Sequence, residues 1–558
     1  MKLMQICLLF GDWEKGLNEG GAKKKISMRS ENNQTGISFH FCHNNGLMLQ
    51  SFYSPIQSFI MVTALLIWVP VIGVPDIVLA QQTSNDSEIE ENLSGFDEED
   101  SGIEEALSGF DERESAEDEK DILSGFDEEK KFKHTEGPEA TIEKEDWSSF
   151  SGYTGISLSY SFVREPPADN SNADWSGLTK TQPFFSLTWD AKLGSNWNSR
   201  ISAKAFYDFA YGLKERDAFT SDVLNELEKE AELREVYLQG SPFESLDIRL
   251  GSQIVVWGTA DSLRVVDVLN PTDNREYGMT DLDDVRIPLP MTRLDYYFGD
   301  FKLQAVAVHQ IKFNKSAPPG SDYNSTTTEI KEVVPESNAE NKEYGLALLG
   351  TFSGWDASFH WAQYFDDEAY LLITDMTFVS GVGLVPVLEY RHSRLTMSGV
   401  ALSITSGNYI WKAEAANFGG MEFNNIREKK FSRTEILFGT EYSGWNDTSL
   451  SIESGVQHLS DFDHRLEAEP DYQLEDRIAT TLNFMQDYYN QTLHLQLFGM
   501  MIGEWGEDGG SNRASLEYDV MDAFSVKGGV MIYQPGDSLY FQSLNDNDRI
   551  FFEARYSF

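Results

Sequence analysis

The sequence predicts an all-β fold: a transmembrane antiparallel β-barrel of about eighteen strands, sixteen to twenty at the limits, preceded by a disordered acidic segment. Three observations predict it. Segments of about ten residues alternate apolar and polar side chains with period two. Tight turns rich in Gly, Asn and Asp alternate with long polar stretches. The chain ends on one more alternating segment, and its last residue, Phe558, is aromatic.

Taken in chain order, residues 1–80 are read as a signal-peptide region. "FIMVTALLIWVPVIGVPDIVLA" (59–80) is the one long apolar run, and it closes on Val78-Leu79-Ala80, a small-residue cleavage pattern. Pro70, Pro75 and Asp76 interrupt its last third and argue against a membrane-spanning helix. The preceding 58 residues are too many for an ordinary leader, so Met28 or Met48 is a plausible start. Both cysteines, Cys7 and Cys42, fall in this region. The mature chain then has no disulfide, no thiol nucleophile and no thiolate metal ligand, which suits passage through an oxidising compartment.

Residues 81–146 carry 25 Asp and Glu against 6 Lys and Arg, a net charge of −19. With few apolar groups they cannot offset chain entropy, so disorder is expected. Inside them LSGFDE is written three times, from Leu93, Leu107 and Leu123. Each copy pairs its leucine with a phenylalanine, Phe96, Phe110 and Phe126, around a glycine. An apolar anchor pair, a flexible joint and flanking charge make a short linear motif for a partner, and three copies add avidity. A plug for the barrel lumen and plain solvation are the competing readings.

Residues 147–558 are read as the barrel. "GISLSYSF" (155–162) sets Ile156, Leu158, Tyr160 and Phe162 against Ser157, Ser159 and Ser161. "RISAKAFYDFAY" (200–211) repeats the alternation as far as Tyr211. Tight turns are expected at 194–197, 240–245, 298–301, 352–358, 405–409, 442–449, 486–491 and 519–524, with long loops at 213–232, 313–342 and 459–475. Two of the turns, in "LLGTFSGWDASF" and "LFGTEYSGWNDTSL", look like copies of one hairpin. Eight turns join sixteen strands, and a first strand at 153–163 and a last at 549–558 make eighteen. In the last strand Phe552, Tyr556 and Phe558 share a face. That pattern resembles the signal read by the outer-membrane barrel assembly machinery.

One stretch departs from the strand–turn rhythm. A strand is expected to end at Trp257 and the next to begin near Met291, with a turn-rich insert between them. The insert mixes Arg264, Arg275 and Arg286 with Asp261, Asp267, Asp273, Asp281, Asp283 and Asp284, and three prolines stiffen it. A loop of both charge signs can fold inward as a lumen constriction, with Arg264, Arg275, Arg286 and Arg293 facing Asp267, Asp273 and Asp284 across the lumen. An external loop of solvated ion pairs is the alternative.

The run "RLGSQIVVWGTADSLRVVDVLNPTDNRE", followed by "RIPLPMTRLDYY", resembles an uncharacterised family of proteobacterial outer-membrane barrels, a domain-of-unknown-function family. The likeness spans most of 150–558 and is specific over about 230–310. It implies a signal-bearing outer-membrane barrel, often associated with exporters of the resistance-nodulation-division type, and implies no substrate and no catalytic residue.

A formal charge of −47 excludes a nucleic-acid role. The chain has no G-x-S-x-G, no HExxH, no phosphate loop and no cysteine–histidine arrangement, so neither an enzyme nor a cofactor is expected. "HSRL" (392–395) and "DFDH" (461–464) are the least poor hydrolase candidates. The function expected is a porin-like channel for passive or gated solute passage, its acidic segment docking a partner or plugging the lumen. A non-conducting accessory of an inner-membrane exporter of lipid or apolar cargo is the alternative. The partners to look for are outer-membrane lipid, the assembly machinery, and an exporter component in the periplasm or inner membrane.

Overall fold

The computed structural model describes residues 147–558, except 168–172, 282–283, 327 and 382. The signal region, the acidic segment, and Leu93, Phe96, Leu107, Phe110, Leu123 and Phe126 all lie outside the described residues.

Eighteen long strands follow one another. They begin with Ser148–Ser161 (β1), Gly177–Lys192 (β2), Trp197–Tyr207 (β3), Lys229–Phe243 (β4), Leu246–Gln253 (β5) and Leu289–Phe298 (β6). Phe301–Val308 (β7), Glu343–Phe352 (β8), Trp355–Phe365 (β9), Arg394–Ser406 (β10), Tyr409–Met421 (β11) and Phe431–Trp445 (β12) come next. Thr448–Ser460 (β13), Asp476–Tyr488 (β14), Leu493–Ile502 (β15), Gly509–Met521 (β16), Phe524–Gln534 (β17) and Arg549–Ser557 (β18) complete the set. Each pairs antiparallel with its chain neighbours. β18 returns to β1, with Tyr153 opposite Ser557 and Ser161 opposite Arg549, so the sheet closes and leaves no edge.

Alternation decides which side chains face out. In β18, Ile550, Phe552 and Tyr556 are exposed while Arg549 and Phe551 are buried. In β11, Trp411 is exposed while Lys412, Glu414, Ala416 and Phe418 are buried. The exposed set is the lipid-facing one. Near the tight turns its aromatic rings form a chain: Tyr296, Phe298, Phe301, Phe352 and Trp355 follow at centroid distances of 5.9, 5.8, 5.7 and 4.2 Å. Such girdles sit at the membrane–water interface.

All eight expected turns join consecutive strands. Gly299 and Gly407 occupy two of them at φ of 58° and 60°, a left-handed conformation that a Cβ disfavours. The other end carries the long loops. Tight turns mark the periplasmic end of such a barrel and long loops the external end. A closed, even-stranded antiparallel sheet with an apolar outer face and an aromatic girdle is an outer-membrane barrel.

Some boundaries move. β1 starts at Ser148, earlier than the alternation suggests, because Ser148 through Tyr153 pair with β2. β3 stops at Tyr207 rather than at 211. The backbone turns at Asp208, whose carboxylate accepts the amides of Thr181 and Ala210 at 2.8 and 2.9 Å. Tyr211 packs with Trp175 and Phe219 in a loop cluster. β5 stops at Gln253, short of Trp257. An unforeseen hairpin, Tyr370–Val379 with Gly383–Arg391, stands outside the barrel sheet, its other sheet contact being a two-residue strand at Lys331–Glu332.

Candidate functional site

The insert between β5 and β6, residues 254–288, folds into the lumen. Its root is set by two amides. Gln253, fully buried, donates to the Met291 carbonyl at 3.1 Å. Asn270 accepts the Val255 amide at 2.8 Å and donates to the Ile287 carbonyl at 2.8 Å, tying the two legs together. Val255, Trp257, Val265, Val266 and Leu269 then pack in one core with inward residues of β6 to β12, among them Met291, Met397, Phe418 and Leu437. Small wall residues make room. A Cβ at Gly345 would lie 2.6 Å from the Trp257 ring, and one at Gly399 would lie 2.7 Å from Val266. The Trp257 indole donates to Gln304 at 2.7 Å and lies 4.9 Å from the His360 ring.

Two wall carboxylates hold the first turn of the insert by its backbone. Glu414 accepts the amides of Thr259, Ala260 and Val266. Glu453, 1% exposed, accepts those of Asp261, Ser262 and Leu263 at 2.6, 2.9 and 3.0 Å. Lys412 pairs with Asp261 beside them.

The far part of the insert reaches the opposite wall through side chains. Glu276 pairs with Lys180 of β2, and Asp284 lies 3.6 Å from Lys204 of β3. Asp281 takes both Arg513 of β16, at 2.8 Å, and Lys527 of β17, at 3.3 Å. Arg275 binds Asp273 at 2.6 Å and Glu230 of β4 at 2.7 Å. Burial opposes these charges, but the pairing outweighs it. Arg275 stays above its ordinary pKa, and Asp273 and Asp281 stay below theirs. Between insert residues 273–284 and the wall lies a cavity of about 170 Å³. Seven Lys and Arg and eight Asp and Glu line it, a nearly neutral ring of ion pairs.

The expected pairing across the lumen is not what forms. Arg264 and Arg286 both bind Asp267, at 3.3 and 2.9 Å, inside the insert itself. Arg293 is on the wall, paired with Asp295 at 2.5 Å two residues along the same face. Asp273, Arg275 and Asp284 do border the cavity, but Asp273 and Arg275 pair with each other within the insert, and from there Arg275 reaches Glu230 of β4 and Asp284 reaches Lys204 of β3. The physical reason is reach: a buried carboxylate takes the nearest guanidinium rather than leave it unpaired. At the chain end, Phe558 exchanges two 2.9 Å backbone bonds with Gly152, and its ring stacks at 6.2 Å on Phe185. His392 donates or accepts at the Asp366 carbonyl and at Glu332, while His464 meets Glu467. Neither histidine is hydrogen-bonded to a serine.

Glu414, Glu453 and Asn270 were not among the expected site residues. Glu414 in "WKAEAANF" and Glu453 in "SIESG" sit at inward positions of otherwise small or apolar strands. That placement is the one signal in the sequence, and it does not name a partner more than 150 residues away.

Residues 168–558 match a family described as "Protein of unknown function (DUF1302)". No curated protein matches the chain. Among solved structures, the chain is similar to a BenF-like porin of Pseudomonas fluorescens Pf-5, with 8% identity and a TM-score of 0.45, covering 74% of this chain and 98% of that one. It is similar to OccK1 (OpdK) of Pseudomonas aeruginosa, with 9% identity and a TM-score of 0.43 over 74% and 98%. The outer-membrane channel DcaP of Acinetobacter baumannii matches with 13% identity and a TM-score of 0.36 over 74% and 97%.

Proposed function

We propose, for a chain that belongs to this DUF1302 family of proteins of unknown function, that the barrel is an outer-membrane channel for small polar solutes, narrowed by the lumen insert. The observation that carries the reading is the charged cavity between insert residues 273–284 and the walls of β1–β4 and β16–β18. On its other side the insert is closed against β6 to β12 by apolar packing. A path lined by nearly balanced charge favours hydrated solutes of either sign over apolar ones.

The test is planar-bilayer conductance of the refolded mature protein, beside a form that lacks residues 81–146. Discrete steps in the mature protein support the channel. Steps in the shortened form alone make the acidic segment a plug. Steps in both leave the LSGFDE copies as a tether for a partner, with an exporter component the first to try as prey.

A second reading has one observation in its favour: the insert is fastened on both sides of the lumen, by Glu414 and Glu453 and by the pairs of Asp281. A barrel so fastened suits a non-conducting accessory of an exporter. Folded protein that gives no steps in either form supports that reading and ends the channel one.

A further inference from the structure

Below the insert, toward the tight turns, β3 to β6 place a set of arginines on the lumen wall. Arg200 stands opposite Tyr237, Arg249 opposite Gln239, and Arg249 again opposite Arg293 on its other side. This is the lumen face: Asp295, two residues on from Arg293, accepts from Gln304, which also holds the Trp257 indole of the insert. Two like charges directly opposite in neighbouring strands destabilise a sheet. Local rules broken in this way concentrate where a site needs them.

The carboxylates nearby do not relieve Arg249. Arg200 takes Asp190 at 2.8 Å and lies 3.7 Å from Glu235, and Arg293 takes Asp295. Asp247 is occupied by the hydroxyls of Ser241 and Tyr297, at 2.5 and 3.1 Å. Among the described residues no carboxylate reaches Arg249 at salt-bridge distance. Its Nε and Nη2 donate to one neutral oxygen, Gln239 Oε1, at 2.9 and 2.5 Å, and the guanidinium lies 4.5 Å from the Tyr237 ring centroid. Among the described residues Nη1 has no acceptor. A shortage of acids does not explain this, because residues 147–558 contain 61 Asp and Glu against 32 Lys and Arg. Gln239 and Tyr237 fix the plane of the guanidinium without neutralising it.

We infer that Arg249, with Arg293 across from it, is a binding station for an oxyanion, a carboxylate or a phosphate, on the lumen path below the insert. A held planar fork with an unused edge matches two oxygens of such a group. The bound anion removes the repulsion between the two arginines. The inference rests on the channel reading.

The experiment uses the refolded mature protein and the variants R249Q and R249K, each checked for folding by heat-modifiable migration on gels. Potassium chloride steps are recorded first. Reversal potentials are then measured under gradients of potassium butyrate and, separately, potassium phosphate. The wild type should prefer one of these anions to chloride. R249Q should lower that preference about tenfold, the scale of a charge-assisted fork, while chloride conductance falls less than about twofold. R249K keeps the charge without the fork and should fall between. A preference for butyrate names a carboxylate, and one for phosphate names a phosphate. Wild-type preference retained in both variants, or no preference in the wild type, overturns the station and leaves the channel standing. Absence of chloride steps from the folded wild type ends the channel reading and the station with it.

Discussion

At the scale of residues, two carboxylates place a thirty-five-residue insert, residues 254–288. Glu453 accepts three amides and is almost fully covered. Its replacement by alanine strands those donors in a dry site, at about 1–3 kcal/mol for each one left unsatisfied. We expect E453A to lower the urea midpoint in detergent and to broaden open-channel current noise, while E441A, at the edge of the same network, should do much less. Asp281 has the opposite economy, since one carboxylate neutralises Arg513 and Lys527 together. D281N should leave Arg513 facing the cavity without its carboxylate and Lys527 with Glu517 alone, and move the reversal potential in a potassium chloride gradient toward anion selectivity. An unchanged potential would mean that solutes pass elsewhere. Two acids outside the membrane span set a pH dependence. Burial raises Asp366 to about 7 and Asp548 to about 6. In both, the folded state holds a proton that the unfolded state has already released. Their contribution to stability is therefore full below the ordinary carboxylate pKa and declines as pH rises through the folded values. The urea midpoint should fall between about pH 4 and 7, and the slope should be shallower in D548N.

At the scale of elements, the strands were legible because period-two alternation is local. Ile156, Leu158 and Tyr160 announce one face of β1 with no knowledge of β18. The turns were legible for the same reason: "FGDF" and "TSGNY" supply the residues that a reversal needs at once. Boundaries moved where a long-range partner decided, as at Asp208, which ends β3 by capping amides of β2 and its own loop. The insert was legible as an insert, through its prolines and mixed charge. Its pairing was not, since which carboxylate meets Arg264 or Arg275 depends on how close the folded loop brings them. The hairpin at 370–391 was hidden because alternation also fits a strand outside the barrel. Its tip is bare of charge and open, with Phe378 72% and Leu384 67% exposed. The last strand carries a prediction of its own. Phe558 closes the seam through Gly152 and stacks on Phe185. Deleting Phe558 should reduce the amount of heat-modifiable barrel recovered from membranes several-fold, whereas F558Y, which keeps the ring, should restore it. Equal recovery from the deletion would remove Phe558 from the assembly signal.

At the scale of the whole molecule, the insert completes two cores of the barrel, a large one with β6 to β12 and a smaller one in which Tyr277 and Met279 meet Met531 and Tyr533 of β17. The inward faces of β6 to β12 carry, besides a few polar groups such as Gln304 and Glu414, a mainly apolar surface that the insert covers and that would be wet without it. Met291, Met397 and Leu437 are fully buried in one cluster with Val255, Trp257 and Val266 of the insert. The opposite wall is different, since Lys180, Lys204, Arg513 and Lys527 are charged and can be hydrated when the insert is gone. Removing residues 258–284 and joining the legs with a short Gly-Ser linker therefore has two consequences that pull apart. Conductance should rise several-fold, since the cavity beside the insert becomes the full lumen. Stability should fall, because apolar wall residues lose their cover at about 25 cal/mol per Å² exposed. High salt separates the two contributions in the intact protein. It screens the pairs at Asp281 and Asp284 but not the buried contacts of Trp257 or the amides on Glu453. The insert should thus swing from its Glu414–Glu453 side, opening first toward β16 and β17. Cysteine pairs placed at 279 and 531, and at 266 and 399, which leave Asp281, Lys527 and Glu453 in place, would report this. Crosslinking of the first pair should weaken as salt rises, and that of the second should not. Equal weakening of both would mean that the insert leaves the wall as a whole.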